Sequence, residues 1–166
     1  MRLLVLLQNA WSAKYAGRRW PRKGWLKALD ASRSGQRLAS LRHGYPYRAE
    51  WVFDNVTPIC GATPDSVVPA DLKHVNHVIT LNRPDVIIAC GRLVEKAMDQ
   101  LTGLPLWLAV PHPAHRVLTN CLYFKIGQDL GCLATGLFQA AATKVTFRQR
   151  RGSVEITPHP WLIPAR

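Results

Sequence analysis

Short runs of apolar residues alternate along the chain with longer stretches in which apolar residues recur at helical spacing. Residues 3–7 form a continuous apolar run that ends at the polar residues Gln8 and Asn9. This pattern is typical of a strand that is buried on both faces. Three further runs predict strands, each followed by a polar or glycine-bearing turn: residues 51–53, 85–90 and 106–110.

Helical periodicity fills the intervals between these runs. It predicts helices over residues 24–41, 69–82, 92–102 and roughly 128–143. Strands that alternate with helices form a parallel sheet with helices on both faces. We therefore expect an α/β fold of three layers, α/β/α, around a central sheet of about four parallel strands.

The C-terminal tail has a different pattern. Residues 144–156 predict two short strands around the turn Arg150-Arg151-Gly152. We therefore expect an α/β domain over residues 1–143 and a short extension over residues 144–166. The extension is expected to form a hairpin that packs on the same domain.

The composition indicates a single folded domain. The chain has 166 residues, of which 48% are hydrophobic, and this excludes a wholly disordered protein. Its four cysteines lie far apart without a C-x-x-C pair, so we expect no disulfides. The first apolar run stops at Gln8 with no cleavage site after it, and no run is long enough to span a bilayer. We expect a protein that is cytoplasmic or nucleoid-associated and is not secreted.

The charge is unbalanced and unevenly spread. There are 22 Lys and Arg against 10 Asp and Glu, a net charge of +12. Residues 1–50 hold eleven of the basic residues and only two acidic ones, Asp30 and Glu50, a net charge of +9. Such an excess predicts a polyanionic partner, nucleic acid before a membrane surface. The alternative explanation is a generally basic, solvated surface.

Polar side chains follow three of the predicted strands. Asn9 follows the first, Asn55 the second and His112 the last. Because the carboxyl ends of parallel strands meet at one edge of a sheet, these side chains are expected to lie close together. Singly, an asparagine is an ordinary turn residue and a histidine is often structural. Their joint placement predicts a functional site.

Five segments in this order resemble the motifs of the uracil-DNA glycosylase superfamily. They cover most of residues 3–120 and comprise residues 7–11 (Leu-Gln-Asn-Ala-Trp), 17–24 (Gly-Arg-Arg-Trp-Pro-Arg-Lys-Gly), 52–60 (Val-Phe-Asp-Asn-Val-Thr-Pro-Ile-Cys), 83–92 (Arg-Pro-Asp-Val-Ile-Ile-Ala-Cys-Gly-Arg) and 112–116 (His-Pro-Ala-His-Arg). The resemblance implies a monofunctional DNA glycosylase. Such an enzyme flips uracil or a modified pyrimidine out of DNA and hydrolyses its N-glycosidic bond, which leaves an abasic site.

The resemblance also implies a role for individual residues. Asn9 would orient the water that attacks the sugar, and His112 would donate a hydrogen bond to the oxyanion that develops on the base. Asn55 would read the base edge with its amide, and Trp20 would stack on the base. Trp20 fits an ordinary half-buried aromatic residue equally well.

The first motif departs from the family pattern. Gln8 and Ala10 replace its usual glycine and proline, and position 9 is Asn rather than Asp. The resemblance is therefore to the mismatch-type or thermostable branches, and slow turnover is expected because an amide is a poor base. The chain has no cysteine before Cys60, so we expect no iron–sulfur cluster of the kind that the thermostable branch holds. We also expect no other cofactor and no metal. Asp54 is expected outside the pocket, because neighbours on a strand face opposite ways, unless a bend of the strand brings it in.

Basic residues around the motifs predict contacts with DNA. They are Arg18, Arg19, Arg22 and Lys23, which interleave with aromatic residues, and His115 and Arg116, which end the last motif. The expected partner is double- or single-stranded DNA. We expect the protein to be a monomer and not to bind a membrane.

Two other classes of function stay open at this point. The first is a non-catalytic DNA-binding protein with a uracil-DNA glycosylase-like fold. The second is a metal-dependent module that uses Cys60, His74, His77 and Cys90, although their spacing matches no zinc signature.

Overall fold

The computed structural model describes residues 1–115, 120–147 and 161–165. Its strands are β1 (Arg2–Leu7), β2 (Glu50–Asn55), β3 (Val86–Cys90), β4 (Leu106–Val110), β5 (Phe138–Ala140), β6 (Lys144–Thr146) and β7 (Leu162–Pro164). Five of them form one parallel sheet in the order β2-β1-β3-β4-β6. The other two, β5 and β7, pair in antiparallel fashion.

Helices cover both faces of the central sheet. They are α1 (Arg22–Asp30), α2 (Arg33–Gly44), α3 (Leu72–Asn82), α4 (Arg92–Met98) and α5 (Asn120–Ala134). Alternate residues of β1 face opposite layers: Leu3 and Val5 pack in a core with side chains of α1, α2 and α5, and Leu4 and Leu6 in a core with those of α3 and α4. The predicted α/β class with a central parallel sheet is therefore confirmed. Among the helices of the described ranges, none is long and apolar enough to cross a membrane.

The predicted count of four strands in the central sheet is wrong, because β6 is a fifth. Its Lys144 lies opposite Trp107 of β4, beyond the last strand that the apolar runs predicted. The sequence predicts a short strand in this part of the tail, but not that the strand pairs with β4. The Lys144 ammonium lies 4.6 Å from the Trp107 ring centre and 2.6 Å from Asp99, contacts that fix this edge strand.

The C-terminal extension is divided between two sheets. Residues 144–146 belong to the central sheet, and β7 pairs with β5. The predicted turn at residues 150–152 lies outside the described residues.

The helix predicted over residues 24–41 is two helices, α1 and α2. Ser32 begins α2, because its hydroxyl accepts a hydrogen bond from Gly35 N–H at 3.1 Å. A Cβ at Gly35 would overlap the Leu29 carbonyl oxygen, so the two helices meet at a tight corner. The prediction failed here because the apolar spacing runs through the break.

The last predicted helix is also displaced. Helix α5 spans Asn120–Ala134 rather than residues 128–143, and residues 138–140 form β5. Gly136 follows the helix with φ +71°, a left-handed conformation that ends a helix and favours glycine.

Helices α2 and α5 touch backbone to backbone. A Cβ at Gly127 of α5 would overlap the Leu41 carbonyl oxygen, and a Cβ at Gly44 of α2 would overlap that of Phe124. Only glycine at both positions permits this approach, so the two glycines set the distance between the helices.

This contact predicts the sign of a stability change. Alanine is the better helix former by about 1 kcal/mol, so Gly127→Ala would stabilise an isolated helix. In the protein we expect it to lower the free energy of unfolding by about 1–3 kcal/mol, because the new methyl group meets backbone that cannot move aside. Urea unfolding measures the change, with Gln128→Ala at the adjacent exposed position as the control. An unchanged or more stable Gly127→Ala protein would contradict the close approach.

Candidate functional site

The carboxyl edge of the sheet brings the predicted polar residues together. Asn9 follows β1, Asn55 ends β2 and His112 follows β4. All three line one cavity of about 590 Å³, together with Trp20. The volume falls within the range of about 300–1,000 Å³ that is typical of small-molecule pockets. Strands β2 and β3 lie on opposite sides of β1, so the strand order reverses at β1. In an open parallel sheet, ligands usually bind at the carboxyl ends of the strands where the order reverses.

Trp20 reaches the cavity because two loops are joined by backbone hydrogen bonds. Residues 10–18 after β1 pair with residues 60–61 after β2 through four bonds of 2.8–2.9 Å. The two loops thus form one unit that ends at α1. The Trp20 ring stacks on Tyr15 with ring centres 5.4 Å apart, so one face of its indole is covered by the protein itself.

His112 is held as a neutral hydrogen-bond donor. Its Nδ1 accepts the N–H of Ala114 at 3.2 Å, which places the proton on Nε2. Burial lowers the pKa of His112, and the nearby His115 lowers it further. The ring packs on Gly91, which has φ +97° and whose added Cβ would lie 3.0 Å from the His112 Cβ. Both the conformation and the space therefore require glycine there.

Two buried side chains that the sequence analysis did not identify hold the loop around His112. Arg37 of α2 donates hydrogen bonds to the carbonyls of Pro113 and His115, the latter at 2.7 Å. The hydroxyl of Tyr123 in α5 donates to the Pro111 carbonyl at 2.5 Å. The sequence does indicate that Arg37 is buried, because it lies four residues before Leu41 and therefore on the same, buried side of α2.

Asn9 and Asn55 differ in how their amides are used. Asn9 Nδ2 donates to the Ser66 carbonyl at 3.2 Å, and Asn9 Oδ1 accepts the Val68 N–H at 3.5 Å. It therefore ties β1 to the loop at residues 62–70. Within the described residues the side-chain amide of Asn55 has no hydrogen-bond partner, so both its donor and its acceptor are available to a ligand.

Asp54 does not line this cavity, but it lines an adjoining one of about 630 Å³ together with Trp20 and Asn55. Its carboxylate is 3.0 Å from the Arg22 guanidinium and 3.4 Å from His74 Nε2, and it accepts the backbone N–H of Asn55 at 2.8 Å. Asp54 therefore links α1 and α3 beside the cavity and fixes the backbone at Asn55.

The predicted DNA-contacting cations lie close to Trp20 in the chain. Arg18, Arg19 and Lys23 are exposed, and none makes an ion pair with another described residue. Arg22 is also exposed but is partly neutralised by Asp54. His115 is exposed after β4. Arg116 lies outside the described residues.

The residues of the metal hypothesis lie in different surroundings. Burial raises the pKa of the Cys90 thiol to about 12 and also raises that of Cys60, so both are protonated at neutral pH and are poor metal ligands. His74 lies against Asp54. In the part of the chain that the structure describes, no three His, Cys, Asp or Glu residues are grouped so that they could hold a metal ion.

Comparison with protein-family models, with curated proteins and with solved structures gives no match for the chain. The functional conclusion therefore depends on the geometry of the cavity.

The surroundings of His112 predict a titration and its effect on stability. We expect its NMR titration midpoint below 6.5, because burial disfavours the charged ring. Above about pH 6.5 the ring is neutral in both the folded and the unfolded state, so it does not make stability depend on pH. As the pH falls below 6.5, the unfolded chain takes up a proton before the folded protein does. The free energy of unfolding therefore decreases as the pH falls, until the folded midpoint is reached. His112→Gln assigns the resonance and should remove this part of the pH dependence. A midpoint at or above 6.5 would contradict a partly buried, neutral ring.

Proposed function

We propose that this protein is a DNA glycosylase of the uracil-DNA glycosylase type, which hydrolyses the N-glycosidic bond of uracil or a modified pyrimidine flipped out of DNA. The observation that supports it is the convergence of Asn9, Trp20, Asn55 and His112 on one cavity. These residues come from three strand ends and one loop, and the family resemblance assigns each of them a role.

A uracil-DNA glycosylase-like fold is part of the proposal. What supports this part is the parallel arrangement of β2, β1, β3 and β4 with helices on both faces of the sheet. The fifth strand, β6, joins the edge at β4 and leaves the other four and their carboxyl ends in place.

Base recognition uses the free amide and the aromatic wall. Asn55 offers a donor and an acceptor, which match the acceptor and donor on the edge of a uracil-like base. The Trp20 indole is held by Tyr15 and lines the cavity, so it can stack on the base without a change of conformation. Stacking contributes on the order of 1–3 kcal/mol, which offsets part of the cost of flipping the base.

Bond cleavage uses the neutral histidine. As the C1′–N bond breaks, its electron pair passes to the base and an oxyanion develops there. The Nε2–H of His112 can donate to that oxygen, and a fixed donor of this kind acts without reorganisation. A lowered pKa suits this role, because the ring then stabilises charge without giving up a proton at neutral pH.

The sugar is captured by water beside Asn9. An amide oxygen has two lone pairs, and that of Asn9 accepts one protein hydrogen bond, from Val68. The second lone pair can orient a water toward C1′, and that water loses its proton to solvent as the new C–O bond forms. An amide draws the proton weakly, so this version of the reaction is slow.

A non-catalytic DNA-binding protein is the second candidate, and one observation favours it. Both ends of the Asn9 amide are engaged by Ser66 and Val68, which gives this residue a structural use without any reaction. DNA would then be bound at the basic surface, and a base would occupy the cavity without cleavage of its N-glycosidic bond.

An abasic-site assay separates the two candidates. The substrates are oligonucleotides that contain uracil, 5-hydroxymethyluracil or a mismatched pyrimidine. For an enzyme, His112→Ala should lower the rate of abasic-site formation by about 10²–10³-fold, because it removes an oxyanion donor, with affinity nearly unchanged. Asn9→Ala should likewise abolish product.

Asn76→Ala, on the exposed side of α3, is the matched control and should retain full activity. Intact binding by the wild-type protein without product from any of these substrates would reject the enzyme and favour the second candidate.

Binding is expected to depend steeply on salt. Exposed cations that contact phosphates release counterions, so the logarithm of affinity falls with that of salt concentration. The double variant Arg18→Ala, Arg19→Ala should reduce this slope by about 0.7–0.9 for each contact that is lost. Lys96→Ala, an exposed cation on α4, should leave the slope unchanged. Affinity that is indifferent to ionic strength would contradict a basic DNA-binding surface.

A further inference from the structure

Trp11 is an exposed aromatic residue at the rim of the cavity. It lines the cavity, yet 51% of its surface is accessible to solvent. An indole left this exposed gives up much of the free energy that burial would provide. Its place beside a pocket, rather than on an isolated stretch of surface, suggests that a partner covers it when the pocket is filled.

The backbone around Trp11 is fixed. Ala10 accepts a hydrogen bond from Gly61 N–H at 2.9 Å, and Ser12 N–H donates to the Gly61 carbonyl at 2.8 Å. Trp11 thus lies between two backbone hydrogen bonds to the same residue. A ring anchored in this way loses little backbone freedom when it binds a ligand, as a stacking surface requires.

Along the chain, the charges on either side of Trp11 are of one sign. The first 29 residues contain no Asp or Glu. Lys14 lies 5.5 Å from the Tyr15 ring centre, and Arg18 and Arg19 are exposed without an ion pair to any described residue. An aromatic face among unneutralised cations is complementary to a ligand that combines negative charge with flat, apolar rings.

We propose that Trp11 is a stacking platform for an unpaired base of single-stranded DNA, which makes the single strand the preferred ligand of this surface. Stacking of the base on Trp11 does not depend on the proposed glycosylase function. Only the further step, that this base flanks a flipped nucleotide, rests on that function. A duplex cannot satisfy the platform in the same way, because each of its bases is covered by its neighbours. A strand without a partner offers its bases to aromatic rings.

A membrane surface would also suit tryptophan and arginine, but the geometry favours nucleic acid. Trp11 borders a concave cavity that contains the free amide of Asn55 and the Nε2–H donor of His112. These groups have no use in contact with lipid and match the polar edges of a base.

Binding to DNA without a target base tests the platform independently of catalysis. Fluorescence anisotropy is measured with a labelled thymine and adenine oligonucleotide of about 16 nucleotides, as a single strand and as a duplex. The wild-type protein should prefer the single strand. Trp11→Ala should weaken single-strand binding by about 5- to 150-fold, and duplex binding by no more than about twofold, while Trp11→Phe should retain the preference.

Tyr47→Ala is the matched control. Tyr47 is 50% exposed and lines a separate shallow cavity with Arg42 and Arg48, so it offers an exposed ring near cations away from the rim. Its loss should leave both affinities unchanged. Because Trp11 and Tyr47 are both exposed, we expect both variants to melt within a few degrees of wild type.

The proposal would be overturned if the wild-type protein bound the duplex more tightly than the single strand, or if Trp11→Ala and Tyr47→Ala lost equal affinity for the single strand. Tighter binding of an RNA strand of the same sequence than of the DNA strand would also overturn it. So would Trp11-dependent binding to phosphatidylserine vesicles with no binding to DNA. The abasic-site assay is run on the same variants. Trp11-dependent binding without product would reject the glycosylase and retain the platform, and product without Trp11-dependent binding would do the reverse.

Discussion

The backbone contact between α2 and α5 is the constraint on which the arrangement of the site depends. Gly44 and Gly127 let the two helices approach until backbone meets backbone. At that separation Arg37 of α2 and Tyr123 of α5 both reach the carbonyls of the loop after β4. A wider spacing would leave a buried guanidinium and a buried hydroxyl without these acceptors, which is costly in a protein interior.

That loop determines what His112 can do. Three carbonyls, of Pro111, Pro113 and His115, are held from beneath by buried donors, so the ring is presented from a fixed backbone. The Ala114 N–H selects the tautomer, and burial keeps the ring neutral. The opposite side of the cavity is built differently: the loops after β1 and β2 are joined by backbone hydrogen bonds, which bring Trp20 and Trp11 to the same opening. One side of the cavity thus holds a polar donor and the other holds aromatic surface.

Prediction from the sequence succeeded where a residue's neighbours in the chain decide its environment. The apolar run at residues 3–7 is buried on both faces, and this alone requires helices on both sides of the sheet. The asparagines and the histidine could be placed at one edge because parallel strands all end on the same side. Prediction failed to place β6 in the central sheet, because that is decided by its pairing with β4, and it failed at Ser32, where apolar spacing continues through a helix boundary.

The sequence by itself determined the α/β class, the edge of the sheet that holds the polar residues, and the concentration of positive charge near Trp20. These properties follow from local periodicity, strand direction and composition, which need no knowledge of distant contacts. Tertiary structure alone decided that the Asn9 amide is engaged while that of Asn55 is free, that Arg22 is paired with Asp54, and that Arg37 lies buried beneath the loop of His112. The contacts of Asn9, Arg22 and Arg37 join residues at least 30 positions apart in the chain. The amide of Asn55 is free because no described residue reaches it. Local sequence patterns predict neither a distant contact nor the lack of one.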